Sequence, residues 1–293
     1  MKKNNKSILI LVTLILILFS FIVNIDVVIS SFISYTNTFF IRLFPVAFIT
    51  YLFVYMLIEY GLFEFLNCYL HIKSCGLFIF VLSLLSGFPS GSKYSLLLYD
   101  KGIIDSETAS NYLYFSHFPN ILFVLGTVKN IINDATVTYY LLFSIILSNL
   151  IIFVFTKHNN FNISFNHSSK SFSKTLGDGI IYSIKTLIMI YGTSIFFYLI
   201  SVILLNSFSS NLYIYVIFNG LFDLTNGVVS CGLINSVFIR AFFILLFLSF
   251  GSISIHIQVK EITDNKLSYY NFFKGRIIGT IMSSIIFILL FFH

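Results

Sequence analysis

Apolar residues in this chain run in long blocks, and polar residues gather between the blocks rather than alternating within them. A helix that crosses a membrane needs about 20 apolar residues. Blocks at 7–29, 39–58, 136–156, 179–205 and 274–292 reach that length and predict complete spans. Blocks at 76–98, 110–130, 211–225 and 233–258 are also apolar, but they hold most of the Gly, Pro and charge that falls within apolar sequence. They predict broken, re-entrant or short helices.

The first interruption is "SGFPSGSK", 86–93. Pro89 removes an N–H and disfavours helix at Phe88. Gly87 and Gly91 allow backbone angles that other residues avoid. The segment therefore predicts a turn at 87–91 and a helix restarting near Ser92. Free N–H groups at such a restart attract anions, and Lys93 adds a full positive charge. The second interruption is "LSFGSISIHIQVKE", 248–261. There Gly251 permits the break, and Ser252, Ser254, His256 and Gln258 share a two-residue spacing. On extended chain all four would project from one face; on a helix they would scatter. In hydrocarbon, non-helical backbone must lie inside protein or line a wet cavity, so both interruptions are candidate sites.

Other polar groups lie inside apolar blocks: Glu64, Asp223, Asn226, Arg240, and His117 with Asn120 in "FSHFPNILFVLGT". Ionisable groups there are costly and usually face a cavity or a partner. Arg240 is the sharpest case, and an ion pair with Asp223 is one role open to it.

Composition narrows the class. The chain has 293 residues, of which 58% are hydrophobic and 10% charged. Soluble domains carry about 25% charged residues, so the reading is an all-α polytopic membrane protein in contact with the lipid bilayer. The net charge of +6 reports basic cytoplasmic loops, and no basic block has the pattern of a nucleic-acid arm. Cys68, Cys75 and Cys231 have no paired spacing, so neither a disulfide framework nor a metal motif is expected. The N-terminus, with Lys2, Lys3 and Lys6 ahead of an apolar run and no small-residue cleavage site after it, predicts a retained first span with its basic end inside.

The chain divides into halves. "GLFEFLN" at 61–67 and "GLFDLTN" at 220–226 share four identities, with Glu64 aligned to Asp223. Each is followed by an apolar run and then a Gly/Ser break, "SGFPS" or "FGSIS". Paired interrupted segments at matching places in two halves point to a transporter's binding site. The halves are 1–156 and 179–293, joined by a polar, Lys-containing linker at 157–178 placed in the cytoplasm. Within the first half, "GIIDSETASNY", 102–112, predicts a helix start capped by Asp105 or Ser106 with Glu107 in its first turn. There is no G-x-S-x-G, no H-E-x-x-H and no Walker loop in the chain, so no enzyme, cofactor or metal is expected.

These residues resemble a known family. "FPV" at 44–46, "SGFPSGSK" at 86–93, "SIKTLIMIYG" at 183–192, "GLFDLTNG" at 220–227, "SFGSISIHIQV" at 249–259 and "YYNFFKGRIIGTI" at 269–281 are similar, in order, to segments of the YlbJ sporulation integral membrane proteins. The resemblance implies two Gate-type repeats with discontinuous or re-entrant helices. It also implies a role in moving dipicolinate, pyridine-2,6-dicarboxylate, across the outer forespore membrane of a sporulating bacterium. The family's characteristic positions fall on Gly87, Pro89, Gly91, Lys93, Asp223, Gly251, Ser254, His256 and Gln258. With Ser90, Asn120, Asn226 and Arg240 these make the expected substrate-binding set. Three departures stand out: "FSHFPNILF" where an "FTNASNPLF"-like stretch is expected, Asp223 where Glu is usual, and Ser252 where Gly is usual. Two alternatives remain open at this point, a nucleoside-type or other small-solute carrier and a non-transporting sporulation scaffold.

Overall fold

Helices form where the apolar blocks are long, and they stop where a residue competes for the backbone. The computed structural model describes residues 2–70, 74–157, 171–208 and 211–293. Helices α1 (Lys2–Val23) and α2 (Ile25–Thr38) divide the block expected as one span at 7–29. They meet at Asn24, whose side-chain amide donates to the Ser20 carbonyl at 2.9 Å; such local bonds compete with the helical ladder. The next expected span, 39–58, opens with a π turn over Phe39–Leu43 and continues as α3 (Phe44–Glu59). Pro45 sits in the first turn of α3, where its missing N–H costs little. The segments on either side of this junction bend by 45°.

Helix α4 (Leu62–Leu70) follows Gly61, which has φ +78°. Helices α5 (Gly76–Ser86) and α6 (Ser90–Asp100) are the two arms of the first predicted break. Helix α7 (Ser106–Tyr112) is capped by Asp105, which accepts from the Thr108 N–H at 2.7 Å, and carries Glu107 in its first turn, as the sequence predicts. The chain then runs without helix through 116–120 and enters α8 (Ile121–Ile132), which contains a π turn at Val124–Val128. Helix α9 (Ala135–Phe155) closes the first half, capped by Asp134.

The second half comprises α10 (Phe172–Phe208), α11 (Leu212–Phe222), α12 (Leu224–Ser230), α13 (Val237–Phe250), α14 (Ile253–Thr263) and α15 (Tyr269–Phe292). All four blocks expected to be irregular are interrupted: at 87–89, 116–120, 223 and 251–252. Most of the expected linker, 158–170, lies outside the described residues, whereas 172–178 form the first turns of α10.

The halves interlock. Helix α3 packs on α10, α9 on α15, and α6 on α14, so the arms that follow the two glycine breaks touch each other. In the turn between α14 and α15, the exposed Lys266 donates to Asp100 at the end of α6 (2.9 Å), and this bond holds its ammonium above the ordinary lysine range. Among the described residues α1, α9, α10, α15 and the run of α13 with α14 are each long and apolar enough to cross a membrane, and α2 with α3 as one bent pair makes a sixth candidate. Their outer faces expose large apolar side chains such as Leu9, Phe155 and Leu289, a surface suited to hydrocarbon rather than water. The chain is an all-α polytopic membrane protein.

Candidate functional site

The two glycine breaks share a geometry. Gly87 donates its N–H to the Ser83 carbonyl at 2.9 Å, closing α5, and then leaves the helix at φ +78°. Gly251 donates to the Phe247 carbonyl at 2.9 Å, closes α13 and leaves at φ +91°. Both φ values are strained for a residue with a Cβ. The Phe88–Pro89 bond that follows the first break is cis. Helix α14 restarts with Ser252 as its cap, accepting from the Ile255 N–H.

Asn120 ties the first break to the interruption at 116–120. Its Oδ1 accepts from the N–H groups of Leu122 (2.8 Å) and Phe123 (3.3 Å), capping α8. Its Nδ2 donates to the carbonyls of Leu85 (3.3 Å) and Ser86 (3.4 Å), the last turn of α5. One side chain thus satisfies a helix start and a helix end that no backbone partner reaches. The contact demands glycine opposite: a Cβ on Gly87 would sit 2.8 Å from both the main-chain nitrogen and the Cβ of Asn120.

Beside these breaks lies a cavity of about 230 Å³. Three of the four chain interruptions reach its wall, through Gly87 and Phe88, Pro119 and Asn120, and Asp223, and the first turn of α14 after the fourth adds Ser254 and Ile255. Tyr35 and Phe39 from the end of α2, Tyr51 from α3, and Leu187, Ile190 and Ser194 from α10 complete most of it. Apolar wall with a few convergent polar groups is the usual form of a small-molecule site, and the volume suits a small solute. The Tyr51 hydroxyl is buried and has no hydrogen-bond partner within the protein.

A polar chain runs along one side. Gln258 Nε2 donates to Ser194 Oγ at 3.0 Å. Ser194 and Tyr35 stand on the same cavity wall, and Tyr35 donates to Asp223 Oδ1 at 3.2 Å. Asp223 is 1% exposed. Its Oδ2 accepts from the Asn226 N–H at 2.8 Å and so caps α12. Among the described residues, Asp223 is the only Asp, Glu, Lys, Arg or His in the cavity wall.

Of the residues expected from sequence to bind substrate, Gly87, Asn120, Asp223, Ser254 and Gln258 line this cavity. The others lie elsewhere, for identifiable reasons. Helix α6 restarts at Ser90 rather than Ser92. Its first residues are buried against the neighbouring chain, where a Cβ on Gly91 would fall 1.9 Å from the Ser116 carbonyl oxygen. Pro89, Ser90 and Gly91 are therefore packed away from the cavity, and Lys93 is carried past it to place its ammonium 5.6 Å from the centre of the Tyr182 ring. Asn226 donates to Asn219 Oδ1. Gly251 shapes the second break without touching the cavity. The segment after it is helix, not extended chain, so the two-residue series scatters: Ser254 and Gln258, one turn apart, reach the cavity, while His256 does not. His256 Nδ1 instead meets the Tyr269 hydroxyl at 2.7 Å, and Nε2 meets the Phe250 carbonyl at 3.2 Å.

The ion pair between Arg240 and Asp223 does not form. Arg240 donates from Nε to the Ile234 carbonyl (2.8 Å), from Nη1 to those of Ile131 and Ile132 (3.1 Å each), and from Nη2 to Ile234 (2.6 Å). It serves the unpaired carbonyls at the end of α8, a role open to a cation at a helix C-terminus.

Sequence reasoning missed Arg276, which is fully buried. Its Nη1 donates to the carbonyls of His117 (2.8 Å) and Ser249 (3.2 Å); its Nη2 donates to the Tyr114 carbonyl (3.3 Å) and Asn149 Oδ1 (2.8 Å). It joins the interruption at 116–120 to the end of α13. Tyr35, Tyr51 and Ser194 were missed as well. Their signal, a lone hydroxyl in an apolar block, is too common to single out. No family model, curated protein or solved structure matches this chain.

Proposed function

We propose that this protein is a membrane carrier that binds a small organic anion, dipicolinate, in the cavity and moves it across the outer forespore membrane during sporulation. The observation that carries the reading is the meeting of three chain interruptions and the helix turn that follows the fourth, drawn from both halves, on one cavity inside a membrane bundle. Irregular backbone at membrane depth is tolerated where it lines a cavity, and carriers place their substrates between repeats at such breaks. The starts of α8 and α14 both face the cavity through Leu122, Phe123, Ser254 and Ile255, and helix starts favour anions. The free Tyr51 hydroxyl supplies a donor, and Phe39, Phe88 and Phe123 supply ring faces for an aromatic solute.

The test is dipicolinate content in purified spores of a strain lacking the gene, with mother-cell dipicolinate measured in parallel. Low spore content with normal synthesis is expected. Normal spore content removes the assignment.

A second reading, a carrier of neutral nucleoside-type solutes, is favoured by the absence of any cationic side chain from the wall among the described residues. Competition between nucleosides and labelled dipicolinate for the purified protein separates the two.

A further inference from the structure

The cavity wall poses an electrostatic problem for an anion. Among the described residues its one charged side chain is a carboxylate, Asp223, and two carboxylates close together in a poorly solvated site do not both stay ionised. Among the described residues, the groups facing Asp223 supply no cation. Tyr35 and Tyr198, from α2 and α10, are phenols. Asn219, Thr225 and Asn226, from α11 and α12, are neutral. On α13, Arg240 is committed to main-chain carbonyls. On α14, Ser254 and Gln258 are neutral, His256 is turned to Phe250 and Tyr269, and Lys260 and Glu261 are exposed. Lys185 of α10 is also exposed, and Lys93 of α6 lies over Tyr182.

We propose that Asp223 takes up one proton together with the anion, so that solute and proton occupy and cross the site as a pair. The inference rests on the carrier reading above. The proton comes from water and stays on the Asp223 carboxyl; no other bond is made or broken. Two consequences follow from the hydrogen bonds. A neutral Asp223 no longer repels the solute. It also no longer holds the Tyr35 hydroxyl as a charge-assisted donor, which frees that hydroxyl, together with Tyr51, to donate to the solute carboxylate.

The sign of the pH dependence is fixed by linkage. Protons bound with the solute make binding tighter at acid pH, by about tenfold per pH unit for one proton above the Asp223 titration. The experiment is calorimetric titration of dipicolinate into the purified full-length protein, in buffers of different ionisation heat and at several pH values. Wild type is expected to take up roughly one proton per dipicolinate, and Asp223→Asn is expected to take up none, with a flat pH profile. Asn caps a helix start as well as Asp does, so this variant keeps α12 in place. Tyr35→Phe removes a donor that favours the ionised carboxylate, so its proton uptake persists at higher pH than in wild type. Dipicolinate binding to wild type without proton uptake overturns the inference and leaves the carrier reading standing. Proton uptake that persists in Asp223→Asn overturns the assignment to Asp223. No binding at any pH overturns the solute reading, and this inference with it.

Discussion

The hydroxyl of Tyr35 lies 3.2 Å from Asp223 Oδ1, joining residues 188 positions apart in the chain. It docks the end of α2 onto the point where α11 gives way to α12. Asp223 is at once a cap and an acceptor, holding the Asn226 N–H with its other oxygen. Asp223→Ala removes both partners and leaves a buried phenol without its acceptor. It is expected to lower stability by about 1–3 kcal/mol, whereas Asp223→Asn stays near wild type. Thermal unfolding in detergent checks the pair.

Gly87 answers to two constraints, a left-handed φ and the approach of Asn120. Gly102 answers to one: its φ is +70°, but nothing lies within 4 Å of a Cβ built there. Gly102→Ala is expected to cost only the conformational strain, about 1–2 kcal/mol. Gly87→Ala adds a clash with main chain, which cannot turn aside as a side chain can. It should lose more stability than Gly102→Ala and separate Asn120 from the end of α5. Melting temperatures of the two variants, measured side by side, decide this.

The sequence made the breaks legible because helix-breaking residues are rare inside apolar blocks and each has a local effect. Gly87, Pro89 and Gly251 act on their own backbone, and Asp105 caps a helix three residues away. The wall of the cavity was less legible, because it is assembled by packing. The two-residue series expected Ser254, His256 and Gln258 on one face of extended chain, but the segment is helix, and only Ser254 and Gln258, one turn apart, reach the cavity. Arg240 was a reasonable partner for Asp223 by charge alone, but the carbonyls left open at the end of α8 satisfy it instead. The junction at Asn24 was hidden in an otherwise unbroken apolar run. Arg276 sits in "YYNFFKGR", which reads as the polar edge of a span, and only the approach of 114–117 and 249 buries it. A Cβ on Gly275 would fall 2.2 Å from the Tyr114 carbonyl oxygen, so that small residue is what lets the chain come so close.

Arg276 is buried without a carboxylate and spends its charge on three carbonyls and one amide oxygen. Arg276→Met leaves those four acceptors without their donor, in a site too enclosed for easy hydration. Each buried acceptor left unsatisfied costs about 1–3 kcal/mol, so the variant is expected to lose at least about 2 kcal/mol. Arg276→Lys keeps the charge but not the planar fork and should recover only part. The same pair of substitutions at Arg240, which is half-buried, should cost less. Yield of folded protein and midpoint of thermal unfolding report all four.

Tyr51 separates a role in binding from a role in folding. Its hydroxyl is buried, unpartnered and on the cavity wall, 1% of the residue being exposed. A buried donor without an acceptor destabilises the empty protein, so Tyr51→Phe should leave the melting temperature unchanged or raise it. With a carboxylate solute in the cavity the same hydroxyl gains a charged acceptor, and such bonds contribute about 1.5–3 kcal/mol. Dipicolinate affinity is therefore expected to fall by about ten- to a hundredfold in a protein that is no less stable. A loss of affinity that tracks a loss of stability would instead place Tyr51 in the core and move the solute elsewhere. Unchanged affinity would mean that the hydroxyl does not meet the solute at all. Titration of dipicolinate into wild type and Tyr51→Phe, with the melting curve of each empty protein, distinguishes these outcomes.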